Sequence, residues 1–255
     1  MRDELGDRMK DLEHRTRYML PRRCYTLIRI DGKAFHSYTR GMERPFDRGL
    51  REDMQETTRL LCKHIAGCKL GYTQSDEISL VLTDFDCAGT EAWFDGNLQK
   101  VASVSASMAT AYFNMLRARR GTDTNGGAAM FDSRVWTTSD PWEVYNTFWW
   151  RQKDATRNAV QMVARALAPH KECQGKNFSQ LNELIFQRGQ NFNDYPTDCR
   201  RGAFIIKSES GWVVDKESPI LSQDRQYLFS RLPLIPQPCM GQPCMGQPPP
   251  EDHSR

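Results

Sequence analysis

The 255-residue sequence has no apolar run approaching the roughly 18 residues that a membrane-spanning helix needs. Its first residues, Met1-Arg2-Asp3-Glu4, carry no apolar signal region. A membrane partner is therefore not expected, and the chain is placed in the cytoplasm. Net charge is also scarce, because 35 Lys and Arg against 32 Asp and Glu leave only +3. That balance does not by itself announce a nucleic-acid binder, although Arg117, Arg119 and Arg120, and Arg200 with Arg201, form local clusters able to touch phosphate. Close cysteine pairs are missing too. The eight cysteines (Cys24, Cys62, Cys68, Cys87, Cys173, Cys199, Cys239 and Cys244) include no Cys-x-x-Cys pair, which argues against a structural zinc site and for reduced, mostly buried thiols. With 39% hydrophobic and 26% charged residues, the composition is that of a globular chain of one large or two small domains.

Against these absences stand two short acidic motifs, Arg29-Ile30-Asp31-Gly32 and Ser75-Asp76-Glu77. Asp31 ends the β-branched, apolar run Tyr25-Thr26-Leu27-Ile28-Arg29-Ile30, and Asp76 and Glu77 precede Ile78-Ser79-Leu80-Val81-Leu82. Gly71-Tyr72-Thr73-Gln74 reads as the turn before the second run. Two adjacent central strands would bring these carboxylates to one sheet edge, the pattern of a two-metal phosphoryl-transfer site. Mg²⁺ suits such an edge, because it prefers oxygen and is usually held by one or two carboxylates plus substrate phosphates.

Along the chain, residues 3 to 17 read as a short amphipathic helix with Leu5, Met9 and Leu12 on its apolar side. Asp47 caps a helical run through Leu50, Met54, Leu61 and Ile65 that stops at Gly67. An Ala- and Ser-rich stretch from Leu98 to Leu116 suits a helix packed closely on a sheet. Gly126 and Gly127 then lead into a strand at 128–136. Pro141 opens another helix, Leu181 to Phe186 a further one stopped by Gly189, and Ala203 to Lys207 and Trp212 to Asp215 are short strands. The order βα-ββ-αβ implies an α+β fold, an antiparallel sheet with helices on one face. Residues 1–138 are expected to form the catalytic core, and 139–218 a helical and short-strand extension of the same domain. Residues 219–255, with their tandem Pro-Cys-Met-Gly-Gln, are expected to be a mobile tail.

Seven blocks carry a resemblance: Arg-Ile-Asp-Gly-Lys-Ala-Phe-His (29 to 36), Arg-Pro-Phe-Asp (44 to 47), Gln-Ser-Asp-Glu-Ile-Ser (74 to 79), Phe-Asp-Ser-Arg (131 to 134), Trp-Arg-Gln-Lys-Asp (150 to 154), Asn-Glu-Leu-Ile-Phe (182 to 186) and Gly-Gln-Asn-Phe-Asn-Asp-Tyr-Pro (189 to 196). In this order they resemble the tRNA-His guanylyltransferase family. The resemblance implies a palm-like core similar to that of polymerases and nucleotidyl cyclases, and addition of nucleotides to the 5′ end of tRNA with ATP, GTP or another NTP. It also implies a homotetramer built as a dimer of dimers. Two Mg²⁺ ions would be held by Asp31, the Gly32 carbonyl and Asp76, with Glu77 beside them as a third catalytic residue. Arg29, Lys33, Ala34, Phe35, His36, Arg44, Asp47 and Ser75 become candidates for nucleotide and triphosphate. Arg151, Asn158, Asn182, Asn193, Arg200 and Arg201 become candidates for tRNA.

Several of these residues have a plainer reading. Asp-Gly is a common turn, Asp47 suffices as a helix cap, and Glu77 can simply face outward from its strand. Trp149 and Trp150 are assigned to packing rather than to base stacking, and Arg151 can pair with Asp154 three positions on. The family's His-Ile-Asn-Asn segment, tied to adding G to tRNA-His, is Thr156-Arg157-Asn158-Ala159 here. Its Lys before Asn-Glu is Leu181, and the Lys of its Lys-Pro-Asn-Asp block is Arg44. These departures point to the guanylyltransferase-like branch, which adds templated nucleotides and repairs 5′-truncated tRNA. The alternatives are a guanylyltransferase adding G at position −1 and a non-catalytic tRNA-binding module. A nucleotidyl cyclase, a further rival on the same palm, would lack the tRNA-facing half from Trp150 to Pro196.

Overall fold

The computed structural model describes residues 3–87, 89–121 and 127–235. It opens with α1 (Glu4–His14), β1 (Tyr25–Gly32), α2 (Phe35–Tyr38) and α3 (Arg48–His64). The hairpin β2 (Cys68–Gln74) and β3 (Glu77–Leu82) follows, then α4 (Leu98–Arg120) and β4 (Phe131–Thr138). The second half holds α5 (Pro141–Leu167), α6 (His170–Cys173), α7 (Phe178–Gln187), α8 (Thr197–Arg201), β5 (Ala203–Ser208), β6 (Gly211–Asp215) and α9 (Gln226–Phe229). The strands form one antiparallel sheet in the order β4-β1-β3-β2-β5-β6.

Side-chain alternation divides the sheet into two apolar faces. Ile28 and Ile30 of β1, with Ile78, Leu80 and Leu82 of β3, meet Met54 and Leu61 of α3 and Val101, Ala109 and Phe113 of α4. Small residues let α4 approach closely, and the Ser105 and Ser133 hydroxyls bond at 2.8 Å across the helix-sheet interface. Asp47 caps α3 as expected, its carboxylate accepting from the Leu50 amide at 2.7 Å.

The antiparallel α+β palm is thus present, but the expectation of helices on one face needs correction. The opposite face, carrying Tyr25, Leu27, Leu70, Tyr72 and Val81, is covered by Val144, Tyr145 and Phe148 of α5 and by Leu221, Leu228 and Leu232. Both faces of the central strands are apolar, so both must be buried. The same contacts correct the tail expectation over 219–235, where the Tyr25 hydroxyl donates to the Pro233 carbonyl at 2.6 Å and that of Tyr145 to Leu221 at 2.9 Å. The rest of that tail, with Cys239, Cys244 and the tandem repeat, lies outside the described residues, as does Gly126. Beyond the sheet, the second half of α5 builds a satellite core with α6 and α7 from Val160, Val163, Leu181 and Ile185.

Two local expectations also change. Gly71 to Gln74 are strand, not turn, and the hairpin turns at Ser75-Asp76. Gly71 is needed inside the strand because a Cβ there would lie 2.5 Å from the Cys62 sulfur on α3. The helix expected over 3 to 17 spans α1 and buries none of its residues, leaving Leu5, Met9 and Leu12 exposed.

Candidate active site

Register brings the two acidic motifs together. Asp31 stands opposite Glu77 on β3 and opposite Asp132 on β4, and the Gly32 amide donates to the Asp76 carbonyl at 3.1 Å. Two non-glycine residues beside them hold left-handed backbone, Ala34 at φ 56° and Ser75 at φ 51°, a conformation that side chains disfavour and that often accompanies function. Gly32 permits the close packing beneath, since a Cβ would lie 2.3 Å from the Phe35 ring.

Charge at this edge is arranged in a chain. The half-buried Arg29 guanidinium lies 3.4 Å from Asp31 and 3.5 Å from Glu77. From α5, Arg151 reaches Glu77 at 3.0 Å and Asp154 at 2.7 Å, and Asp154 also accepts from Asn158 at 3.3 Å. Arg151 is only 4% exposed, so these carboxylates hold a buried cation in place. Asp76 has no such partner among these arginines. Burial above all pushes its carboxyl up from the usual range, the charges of Asp31 and Glu77 add to that, and the Ser75 hydroxyl at 3.0 Å opposes it.

The donor set fits a hard cation. Asp31, Asp76 and the Gly32 carbonyl offer oxygen only, and a cation between them would offset the burial, and the lesser repulsion, that raise Asp76. Among the described residues no three His, Cys, Asp or Glu side chains gather as a complete metal cage. Magnesium ions completed by substrate phosphates do not require one.

The remaining candidates separate into groups. Asp47, Ser75 and Asn158 line one pocket of about 90 Å³, whose wall includes Leu50, Gln55 and Asp198. Gln55 and Asp198 are buried and bond at 2.7 Å. Asn182, Asn193, Arg200 and Arg201 line a separate groove of about 990 Å³ between α5, α7 and α8. Lys33, Ala34, His36 and Arg44 are exposed around the first loop, and the His36 ring shares a hydrogen bond with the Ser37 hydroxyl at 3.0 Å. The Phe35 side chain belongs instead to the core, its ring packed at a tilt against Phe113 and Phe131, which leaves only its backbone for a ligand.

Sequence reasoning gave no role to Asp132, Gln55 or Asp198. Asp132 was within reach, since the Phe-Asp-Ser-Arg block alternates around it; the buried Gln55–Asp198 pair joins residues 143 apart in the chain and leaves no local signal. The packing role given to Trp149 and Trp150 holds for Trp149, which lies against the sheet core. Trp150 is 54% exposed and needs correction, because its turn of α5 passes the rim of the groove rather than the sheet.

A palm sheet with paired carboxylates at one edge and helices behind it defines a nucleotidyltransferase. A family profile described as tRNAHis guanylyltransferase (Thg1) matches residues 6–139. The chain belongs to that family, whose members are nucleotidyltransferases acting on tRNA. A bacterial tRNA(His) guanylyltransferase (Thg1)-like protein solved in complex with ATP is similar at 47% identity and TM-score 0.84, covering 88% of this chain and 97% of that one. A bacterial protein of the same description in complex with GTP gives 43% identity and TM-score 0.76, with the same coverage. An uncharacterized protein, R259, of Acanthamoeba polyphaga mimivirus is 30% identical over 207 residues, 72% of this chain and 70% of its own. No helix among the described residues is long and apolar enough to cross a membrane.

Proposed function

We propose that this protein adds nucleotides to the 5′ end of tRNA in the 3′-to-5′ direction, directed by the opposite strand, and so repairs 5′-truncated tRNA. The observation that carries the branch is at 156–159, where Thr156 and Arg157 replace the family's His-Ile segment. Thr156 turns its hydroxyl back to the Gln152 carbonyl at 3.0 Å, and Arg157 pairs with Asp154. No imidazole is available there for selecting tRNA-His. The likeness to bacterial proteins described as guanylyltransferase-like supports the same branch.

In this reading Asp31, Asp76 and the Gly32 carbonyl hold two Mg²⁺ ions. When bound, these neutralise phosphate charge and lower the pKa of the attacking 3′ hydroxyl. The chain's own residues do the positioning. Asp47, Ser75 and Asn158 line the pocket beside the carboxylates and place the incoming nucleotide, for which ATP and GTP in the bacterial relatives are the guides. Lys33, His36 and Arg44, exposed beside β1, take the triphosphate, with the Ala34 and Phe35 backbone alongside. Arg29 and Arg151 hold Glu77, and Arg29 also lies against Asp31, from which it can turn to the triphosphate when cations take the carboxylates. Asn182, Asn193, Arg200 and Arg201 face the RNA. The family resemblance is the ground for reading the chain as a cytoplasmic homotetramer, and the edge strand β4, with exposed Trp136 and the neighbouring Met130, offers a surface for a contact between copies.

The test offers the protein a 5′-truncated tRNA bearing a 5′ triphosphate and, in parallel, full-length tRNA-His, with Mg²⁺ and each labelled NTP. Addition only of the nucleotide complementary to the opposite base is expected. Addition of G to tRNA-His alone, whatever the template, would make the protein a guanylyltransferase in the strict sense.

A further inference from the structure

The groove between α5, α7 and α8 combines two features that packing does not account for. Trp150 is 54% exposed, Phe178 46% and Phe186 70%, all within one concavity. Lys153, Arg200 and Arg201 stand among them. Large aromatics usually bury most of their surface, so three left open in one groove call for a partner with flat faces. The Arg151 guanidinium lies 4.0 Å from the centroid of the Trp150 ring, and Arg151 itself is buried. The cation thus takes the inner face of the indole and leaves the outer face for stacking.

Among the described residues neither Arg200 nor Arg201 makes a direct ion pair. Arg200 donates to Asn193 and Thr197, and Arg201 to the Ser218 carbonyl, all neutral acceptors. The Arg200 Nε is buried without a partner. Burial first, and then the charge of Arg200, lower Arg201 from its ordinary value, with the more distant Glu217 carboxylate opposing them. Two adjacent guanidinium groups without a direct ion-pair partner suit a phosphate of the backbone.

The aromatics decide which part of an RNA this is. Bases inside a duplex already stack on one another, whereas unpaired bases can be laid on aromatic side chains. At the end of a tRNA acceptor stem the unpaired strand beside the 5′ terminus is the 3′ overhang. The groove adjoins the catalytic edge through Arg151, which touches both Trp150 and Glu77. We infer that this groove seats the unpaired 3′-terminal nucleotides of the RNA substrate, with bases stacked on Trp150 and Phe186 and a phosphate between Arg200 and Arg201. The inference rests on the proposed addition at RNA 5′ ends and goes beyond it by assigning the second strand.

The experiment compares binding of RNA hairpins with a blunt end or a short 3′ overhang, and measures nucleotide addition to both. Wild-type protein is expected to prefer the overhang by roughly five- to hundred-fold. Trp150→Ala and Phe186→Ala should remove most of that preference while leaving blunt-hairpin affinity unchanged, and Trp150→Phe should keep part of it. Arg200→Gln should flatten the log-log salt dependence of overhang binding by about 0.7. Tyr18→Ala, an exposed aromatic outside the groove, should bind as wild type. An overhang preference that survives both alanine variants, or no preference in a wild type that adds nucleotides, would overturn the inference alone. Preference lost in the variants without any addition would overturn the proposed function and leave the groove assignment standing.

Discussion

Asp31 and Asp76 differ in what surrounds them, and their substitutions should separate accordingly. Either residue changed to Ala should abolish nucleotide addition while circular dichroism stays native, because Asp31 lies near a strand end and Asp76 in a hairpin turn, both outside the apolar clusters. Asp76→Asn should do more. A carboxyl whose folded pKa is raised contributes stability below its unfolded pKa and loses it as the pH rises through the folded value, so ionised Asp76 destabilises the metal-free fold near neutrality. Removing the charge should therefore raise the melting temperature of metal-free protein at neutral pH, and the gain should vanish at low pH. A variant that melts earlier at neutral pH would contradict the buried setting of Asp76. Arg151→Ala leaves Glu77 and Asp154 without their shared cation and should cost about 3 kcal/mol in denaturant unfolding. Both carboxylate motifs were legible in the sequence, because Asp31 ends one apolar run and Asp76-Glu77 opens another. The second counter-ion was not, because Arg151 meets Glu77 across 74 positions of chain.

Among the elements, the hairpin β2–β3 and the helix α3 set the geometry of the site. Gly71→Ala places a methyl against the Cys62 sulfur and should destabilise by about 1–3 kcal/mol, read as an earlier unfolding midpoint. Asp47 serves both α3 and the pocket, and two substitutions distinguish those roles. Asp47→Ala should lose about 1 kcal/mol with the cap, whereas Asp47→Asn keeps the cap. A raised KM for nucleotide in the Asn variant, with an unchanged melting temperature, would mark a ligand role beyond capping. The helices α3 and α4 and the strands β1, β3 and β4 were readable because period and caps agree, whereas the short α2 was not expected. The position of the β2–β3 turn was not, because Gly71 resembles turn chemistry and only the approach of α3 explains a glycine inside the strand.

For the whole molecule, α5 is the spine, closing the second sheet face with its first half and building the satellite core with its second. The segment after Ser218 completes that face. Truncation at Ser218 would uncover the sites of Leu221, Leu228 and Leu232 and strip partners from the Tyr25 and Tyr145 hydroxyls. At about 1.5–3 kcal/mol for each buried leucine, the loss should be on the order of 5 kcal/mol and visible as a large fall in melting temperature. A truncated chain that melts like the full one would show that the segment adds nothing to the fold.

The sequence by itself determined the strand-helix order, the cap of α3 and the two carboxylate motifs, all encoded within a few neighbouring residues by periodicity and turn chemistry. It also determined the family, through blocks whose order survives without knowledge of their placement. Tertiary structure alone decided that both sheet faces are covered, that residues after 218 pack, and that Trp150 opens into a groove. Each depends on which side of an element meets another far away in the chain. Period tells which residues share a face, and only the folded neighbours tell what that face meets.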